Sequence, residues 1–280
     1  MSKFEKKVDF VALVSVNDAN PNGDPLNGNR PRTDYEGYGE ISDVCIKRKV
    51  RNRMQDMGHD VFVQSDDRCD DGKSSLKERA EGLKGIGDQV EFAKIACDTW
   101  IDVRSFGQVF AFGGFNCKSV GVRGPVSIHQ AHSVGSVDIE SMQITKSVSG
   151  EKKDNQERGS DTMGMKHFVR FGLYVVKGSI NVQLAEKTGF TEEDAETVKE
   201  CLRTLFVNDT SSARPDGSMG VEKLYWWKHN CKDGQYSSAR VHRLVDIKVK
   251  EGVNVPNSID DFDITLNELP NLDCEIIEGI

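Results

Sequence analysis

The apolar positions of this chain fall into short runs and helical stripes, which predict alternating strands and helices. Val8–Val16 is a continuous apolar run rich in β-branched residues, typical of a strand buried on both faces. The Asn/Pro/Gly/Asp-rich stretch at 17–34 predicts a loop after it. Further strands are predicted at His59–Gln64, Ile101–Phe112, Lys166–Val176, Val221–Lys228 and Ala239–Lys250.

Capping residues mark where the helices begin. Ser42 is a suitable N-cap for a helix that runs to about Met57. Capping-box patterns at Ser75–Glu78 and Thr191–Asp194 predict two more helix starts, and Asp88–Trp100 predicts a fourth helix.

This order of elements predicts an α+β fold, with a ferredoxin-like unit at its centre. Residues 1–280 then form a single RRM-like domain. It carries a helical insertion at 65–100 and a hairpin-like excursion at 116–166 whose tip lies at 149–162. The acidic tail at 251–280 is expected to be loop-like. Because this fold hosts many functions, function must be argued from sites.

The distribution of charge matters more than its total. The net charge is -8, but residues 251–280 hold eight carboxylates and no Lys or Arg, so the remaining 250 residues are neutral overall. Residues 47–53 hold five cations in seven positions. An acidic total therefore does not exclude a polyanionic partner.

The helix that begins at Ser42 is the first candidate for binding phosphates. Ile46, Val50 and Met54 form its apolar stripe, and the cations lie mostly off that stripe. Phosphate contacts need such a cationic face, although many charged helices are simply solvated. Acidic residues flank the run only at its ends, so pairing within the helix does not neutralise it, and the pattern favours phosphate binding.

Two shorter motifs are weaker candidates. Arg104–Phe110 partly matches the RNA-contacting strand of RNA-recognition motifs, but it lacks the second aromatic residue, so a core strand is the simpler interpretation. Gly121–Pro125 has flanking glycines that leave Arg123 accessible, and an ordinary turn explains it equally well.

Several classes of protein are disfavoured. The chain has no P-loop, no GxSxG motif and no CxxC pair among its seven cysteines, which favours reduced thiols and predicts no cofactor and no metal site. No stretch approaches the roughly 20 apolar residues of a membrane span, and the N-terminus does not resemble a signal peptide. A cytoplasmic protein is expected.

Taken in this order, the motifs resemble those of the guide-RNA-binding backbone subunits of type I CRISPR effector complexes (Cascade), the Cas7 family, and most closely its subtype I-C branch. The resemblance covers roughly residues 8–250. It is carried by Asn20–Pro25, Asn29–Asp34, Ser42–Arg51, Asp102–Gly107, Val122–Val126, Asp161–His167, Tyr174 and Leu184–Phe190.

The resemblance implies a ferredoxin-like palm, a helical insertion and a thumb-like β-hairpin within 127–150. It also implies a non-catalytic scaffold that binds crRNA, stacks head to tail with copies of itself and presents the guide for pairing with target DNA. Other expected partners are the large, small and crRNA-processing subunits of the complex. The implied RNA-binding residues are Asn20, Asn22, Gly23, Lys47, Arg48, Lys49, Arg51, Arg104, Arg123, Lys166 and His167.

Two other functions stay open. One is a metal-dependent endoribonuclease that uses Asp24 or Asp34, although a lone loop carboxylate is usually a turn former and no second carboxylate is visibly placed to hold a metal. The other is a protein-interaction module whose basic helix binds an acidic partner.

Overall fold

The computed structural model describes residues 2–145 and 163–280 and shows a mixed α/β fold with a large antiparallel sheet. The strands, in chain order, are β1 Val8–Ala19, β2 Gly23–Asp24, β3 Arg30–Pro31, β4 Tyr38–Ile41, β5 Gly107–Phe110, β6 Val120–Arg123, β7 Val126–Ile128, β8 Ala131–Ser136, β9 Ile139–Thr145, β10 Met163–Ile180, β11 Met219–Lys228, β12 Val245–Val249, β13 Phe262–Leu266 and β14 Cys274–Glu278. The helices are α1 Asp43–Asp56, α2 Leu76–Arg79, α3 Gln89–Thr99, α4 Ile101–Phe106, α5 Val182–Thr188, α6 Glu192–Arg203 and α7 Ser238–Val241. Among the described residues, no helix is both long and apolar enough to cross a membrane.

Strand β1 lies inside the large sheet, whose order is β14-β11-β1-β10-β8-β4. Phe10 and Ala12 enter the core beneath the helices, whereas Val11 and Leu13 enter a second core on the opposite face. The predicted buried strand is therefore confirmed, and its apolar run is continuous because both faces are covered.

Strand β10 is longer than predicted because it serves two parts of the fold. Val169–Ile180 pairs with β1 inside the sheet. Met163–Val169 pairs with β9 and projects past the end of β1, and we call this two-stranded segment, formed by Ile139–Thr145 and Met163–Val169, the arm. The antiparallel pairing of β9 with β10 falls within the predicted excursion, whose predicted tip at 149–162 lies outside the described residues.

Helices α1, α5 and α6 pack on one face of the sheet. Ser42 caps α1 by accepting a hydrogen bond from the backbone N–H of Cys45 at 3.2 Å. Thr191 and Asp194 form the predicted capping box of α6. Both predicted helices are confirmed, and their apolar side chains Ile46, Val50, Met54, Val198 and Leu202 enter the same core as Phe10.

Residues 62–122, which we call the insertion from here on, have their own aromatic core, and the predicted bounds of 65–100 stay a prediction. Phe62 lies 4.7 Å from Trp100 and 5.0 Å from Phe110, measured between ring centroids. The helices predicted to begin at Ser75 and Asp88 are confirmed as α2 and α3. The strand predicted over residues 59–64 is wrong, because the backbone N–H groups there bond a side-chain carboxylate and not a neighbouring strand.

The strand predicted over residues 101–112 is also wrong in its first half, where α4 lies. Ile101 packs in the core beneath the sheet and Val103 packs in the core of the insertion, so this helix is apolar on two sides and its period is hidden. Gly107 ends the helix with φ +81°, and a Cβ there would lie 2.3 Å from the carbonyl oxygen of Val122. Only glycine fits this transition from α4 to β5.

The C-terminal part departs further from the sequence prediction. The predicted strand at 239–250 begins as α7, and only Val245–Val249 is a strand. The tail is not loop-like: β13 pairs with β12, and β14 pairs with β11 at an edge of the large sheet. Its buried anchors, Phe262 and Leu272, are single apolar residues among carboxylates, so the sequence shows no apolar run there.

Candidate nucleic-acid interface

Lys49, the central cation of α1, faces the interior. It is 4% exposed, pairs with Asp209 and lies 5.2 Å from the ring centroid of Phe206. Burial lowers the pKa of Lys49, and the negative charge of Asp209 acts against that shift. The prediction that this helix exposes its cations is therefore wrong for Lys49, because the neutralising carboxylate comes from a distant loop.

Arg51 joins α1 to the insertion. Its Nε lies 2.8 Å from Oδ2 of Asp102, and its guanidinium lies 5.0 Å from the ring centroid of Phe106. The Asp102 carboxylate is wholly buried and also accepts the backbone N–H groups of Phe62 and Val63, at 2.7 and 3.1 Å. Arg51 thus neutralises a buried charge on which the insertion depends.

Lys47 and Arg48 remain partly exposed on the same helix. Nζ of Lys47 lies 2.9 Å from Asp43, one turn earlier. Arg48 donates through one nitrogen to the carbonyl oxygen of Val63 at 2.7 Å. The Lys47 side chain is 25% exposed, against 12% for Arg51 and 4% for Lys49.

Arg104 lies on α4 rather than on a strand, and its guanidinium forms an ion pair with a carboxylate of α6. Its Nε and Nη2 lie 2.9 and 2.8 Å from the two carboxylate oxygens of Asp194. Asp194 also accepts the backbone N–H of Thr191 within the capping box, at 2.9 Å. This bidentate pair fixes the insertion against α6.

Arg123 is exposed at the end of β6. It has no ion pair or side-chain hydrogen bond within the described ranges. It lines an open groove of about 670 Å³ between α3 and α5, together with Lys94 and Lys187. Asp98 and Glu186 also line this groove, so it has mixed charge, with three cations against two carboxylates, and it lies away from α1.

The loop after β1 is held by side chains that the sequence marked as RNA contacts. Asn20 is 3% exposed, and its Nδ2 donates to the carbonyl oxygen of Asn29 at 2.7 Å. Asn29 has φ +58°, and its side chain fills the space where Gly23 has no Cβ, since a Cβ there would lie 2.0 Å from Asn29 Oδ1. Asn20 and Gly23 therefore position the backbone just before Arg30.

Asn22 ties the same loop to α1. Its Oδ1 accepts the backbone N–H of Ser42 at 2.9 Å, at the residue that caps this helix. The loop and the start of the basic helix thus form one supported unit.

The two loop aspartates form turns. Asp24 accepts the backbone N–H of Leu26 at 3.2 Å and lies 3.4 Å from the Arg32 guanidinium. Oδ1 of Asp34 accepts the backbone N–H groups of Glu36 and Tyr38, each at 2.9 Å. Within residues 2–145 and 163–280, no cluster of three or more His, Cys, Asp or Glu side chains is arranged to hold a metal ion.

The loop meets the arm through Arg30, which the sequence analysis did not select. Nη1 of Arg30 lies 2.9 Å from Oγ of Ser141 and 3.4 Å from Nδ1 of His167. Ser141 Oγ lies 2.8 Å from the same Nδ1. Arg30 belongs to the loop motif that carries the family resemblance, so its type and place were a usable signal, whereas a lone serine on a strand gives none.

Lys166 lies beside this cluster but on the other face of β10, because successive strand residues alternate. It is partly exposed and has no ion pair in the described segments of the chain. Along the arm, Met142, Ile144 and Met165 are 52%, 48% and 55% exposed. The arm therefore presents a cation and apolar side chains together.

The predicted residues fall into two groups. Asn20 follows the C-terminal end of β1, which pairs with Val169 near the arm. Arg123 lies three residues before Val126, which pairs with Ile180 beside the N-terminal end of β1. A 12-residue strand separates the two ends by roughly 35 Å. Arg123 and the Asn20 loop therefore lie at opposite ends of β1 and do not line one groove.

Known proteins resemble this chain over most of its length. It matches the family model described as CRISPR-associated protein Cas7 over residues 6–267. It is 25% identical over 262 residues to the CRISPR-associated protein Cas7 of Haloferax volcanii, an alignment covering 85% of this chain and 74% of that protein.

Two solved structures are similar. A chain of a pre-nicking CRISPR RNA-guided surveillance complex matches with a TM-score of 0.50 and 19% identity, covering 83% of this chain and 81% of that one. A chain of another CRISPR RNA-guided surveillance complex matches with a TM-score of 0.48 and 18% identity, covering 89% and 78%. The first likeness shows a shared fold. Because the family model spans well over half of its residues, this chain belongs to the Cas7 family of CRISPR-associated proteins.

Proposed function

We propose that this chain is a non-catalytic scaffold subunit that binds guide RNA (crRNA) in a type I CRISPR surveillance complex. The observation that carries the proposal is the meeting of the loop and the arm, in a chain of the Cas7 family. Arg30 and His167 meet there and Lys166 lies on the opposite face of the arm, and neither Arg30 nor Lys166 has a carboxylate partner within the described ranges. Cations and hydrogen-bond donors of this kind suit contacts to the sugar-phosphate backbone.

The expected binding is independent of RNA sequence. Phosphate contacts position a strand but do not read its bases, so recognition is left to base pairing between the guide and target DNA. Lys47, Arg48 and Arg123 are proposed as further phosphate contacts because, among the described residues, none of them is paired with a buried carboxylate. Lys49, Arg51 and Arg104 act through the fold, since each is held in an ion pair with a carboxylate that is largely buried.

The proposal includes assembly. Copies stack head to tail along one guide, and such heterologous contacts form open filaments whose length the RNA limits. The exposed apolar residues of the arm support a role for it as the thumb that crosses the RNA or meets a neighbour. The proposal also includes a ferredoxin-like palm with an insertion at 65–100, membership of subtype I-C and a cytoplasmic location. The proposed partners are the large, small and crRNA-processing subunits of the complex.

The test uses the purified chain alone. Fluorescence anisotropy of a labelled single-stranded RNA at two salt concentrations measures affinity and its salt dependence, and the same samples run on a denaturing gel with and without Mg²⁺. We expect tight binding that weakens as salt rises, with the RNA intact. Binding that is absent or insensitive to salt contradicts the proposal.

The gel addresses the ribonuclease alternative. Cleavage that requires Mg²⁺ and is lost in Asp24→Ala or Asp34→Ala overturns the scaffold role. We expect no such cleavage, because both carboxylates accept backbone N–H groups in their own turns.

A further inference from the structure

A chain of hydrogen bonds crosses from the loop after β1 to the arm. Arg30 Nη1 lies 2.9 Å from Ser141 Oγ, which lies 2.8 Å from His167 Nδ1. A guanidinium has only donors, whereas a serine hydroxyl has one hydrogen to donate and lone pairs to accept. Arg30 therefore donates to Ser141, which leaves the hydrogen of the Ser141 hydroxyl free to be donated to Nδ1 of His167.

Two donors beside Nδ1 favour one tautomer of the imidazole. Nδ1 of His167 accepts the Ser141 hydroxyl and also faces Arg30 Nη1 at 3.4 Å, which is itself a donor. In a neutral imidazole with an accepting Nδ1, the ring hydrogen is on Nε2. His167 is thereby prepared as an uncharged N–H donor.

The outer ends of this chain have no partner in the part of the molecule that the structure describes. Nε2 of His167 makes no hydrogen bond there, and Arg30 uses only Nη1, so its other nitrogens remain available. Two donors of different character, one charged and one neutral, thus lie side by side at the base of the arm. A phosphodiester, with one negative charge and two unesterified oxygens, matches such a pair.

We propose that Arg30, Ser141 and His167 form one phosphodiester-binding unit. Arg30 supplies the charge, His167 supplies a neutral hydrogen bond from Nε2, and Ser141 is a positioning residue that holds the ring. The inference rests on the proposed RNA-binding function and assigns its anchor at the arm. Both sides of the unit are held before RNA arrives: Asn20 fixes the backbone beside Arg30, and β10 carries His167.

Salt dependence separates the two donors. Each cation that neutralises a phosphate releases counterions and adds about 0.7 to the slope of log affinity against log salt for a single strand, whereas a neutral donor adds nothing. We expect Arg30→Gln to weaken RNA binding and to reduce the slope by about 0.7. We expect His167→Ala to weaken binding about tenfold at every salt concentration, with the slope unchanged.

Conservative variants test the roles further. The Gln side chain places an amide N–H near the position of Nε2, so His167→Gln should recover part of the affinity lost in His167→Ala. Ser141→Ala should weaken binding severalfold, again without a change in slope. His132→Ala and Ser127→Ala are matched controls, since both residues are exposed and lie away from the arm, and they should bind as the parent does.

A second measurement does not depend on RNA. In ¹⁵N-edited NMR spectra of the free chain, the His167 ring should show the Nε2–H tautomer, and Ser141→Ala should lose that preference. Thermal unfolding of each variant, expected to match the parent, excludes general loss of structure.

The outcomes are distinct. A parent chain that binds no RNA overturns both the function and this unit. A parent that binds RNA while His167→Ala and Ser141→Ala bind equally well overturns the unit alone. A His167→Ala variant with a flatter salt slope, or an Nδ1–H tautomer in the free chain, also overturns it, because either shows a role other than that of a neutral Nε2 donor.

Discussion

The wholly buried carboxylate of Asp102 accepts a hydrogen bond from Nε of Arg51 at 2.8 Å, and this contact joins the basic helix to the insertion. The sequence pattern predicts that the cations of this helix form a surface for RNA, but two of them, Lys49 and Arg51, neutralise carboxylates inside the fold. Separating the interior cations from the accessible ones decides which variants can report on RNA binding.

Removing Asp102 should unfold part of the molecule. Asp102→Ala leaves the Arg51 charge and the N–H groups of Phe62 and Val63 without their acceptor. Breaking a buried ion pair by removing one partner costs about 3–5 kcal/mol. Urea unfolding should show a loss of this size, whereas Asp98→Ala, which breaks an exposed pair with Lys94, should cost less than about 1 kcal/mol. Equal losses would contradict the assignment.

Arg104 and Arg123 should behave oppositely, although both were predicted as RNA contacts. Arg104→Ala leaves the buried Asp194 unpaired and should lower the free energy of unfolding by about 3 kcal/mol or more. Arg123→Ala removes an exposed side chain and should leave stability unchanged while weakening RNA binding and flattening the salt slope. Urea unfolding and anisotropy on the same two variants provide the comparison, and a stable Arg104→Ala variant would contradict it.

The cysteines should differ in their rate of alkylation according to whether they are buried or exposed. Burial raises the pKa of Cys97 to about 11 and that of Cys201 to about 12, whereas Cys231 is exposed. Because the thiolate is the reactive form, iodoacetamide at pH 8 should modify Cys231 first and leave the other two unmodified in the folded chain. Peptide mass spectrometry measures this order, and full denaturant should abolish it.

Asp9 should make stability sensitive to acid. Burial raises the pKa of its carboxyl, but hydrogen bonds from His229, Ser238 and Lys7 outweigh burial and leave that pKa below its ordinary value. The folded chain thus binds this proton less tightly than the unfolded chain does. The stability due to ionised Asp9 is complete above about pH 4 and is lost as pH falls through the lowered pKa.

The matching variant is Asp9→Asn, which cannot titrate. Urea unfolding at pH 5, 4 and 3 gives the free energy of unfolding of both chains. As the pH falls, this free energy should decrease less steeply in Asp9→Asn than in the parent, and the two slopes should differ by up to about 1.4 kcal/mol per pH unit. Identical slopes would show that Asp9 keeps its ordinary pKa in the folded chain.

Truncation of the acidic tail should affect folding before it affects RNA binding. Residues 251–280 contain β13 and β14, and β14 covers the edge of β11. Removing residues 273–280 should lower the unfolding midpoint by several degrees or more, because a strand and its ladder are lost. Glu251→Gln with Asp260→Asn changes the charge and keeps the strands, so this variant tests whether acidity limits RNA binding. A truncated chain as stable as the parent would contradict the fold of this region.

The sequence predicted correctly those helix starts that depend on residues close together in the chain. The caps at Ser42 and Thr191 act within three residues, so their sequence patterns were sufficient. The partner of Lys49 is 160 positions away, and no pattern within α1 reveals it. Burial of a cation depends on which distant carboxylate the fold delivers, and a helical wheel carries no such information.

The site was predictable to the same degree. Lys166 and His167 were selected through the family resemblance, and the structure places them on the arm. Arg30 was visible in the same loop motif as Asn29 but was not selected, because nothing in the sequence shows that the loop folds back onto β10. Ser141 becomes recognisable only from its two neighbours in space.

Strand β10 is continuous from the sheet into the arm, and this sets how the arm can change in length. Since strand side chains alternate with period two, inserting two residues in both β9 and β10 extends the reach by about 7 Å and keeps every side chain on its face. Inserting one residue in each exchanges the two faces beyond that point. The arm can therefore lengthen or shorten only by two residues in each strand if its faces are to be kept, and the part of β10 that pairs with β1 stays fixed as its base.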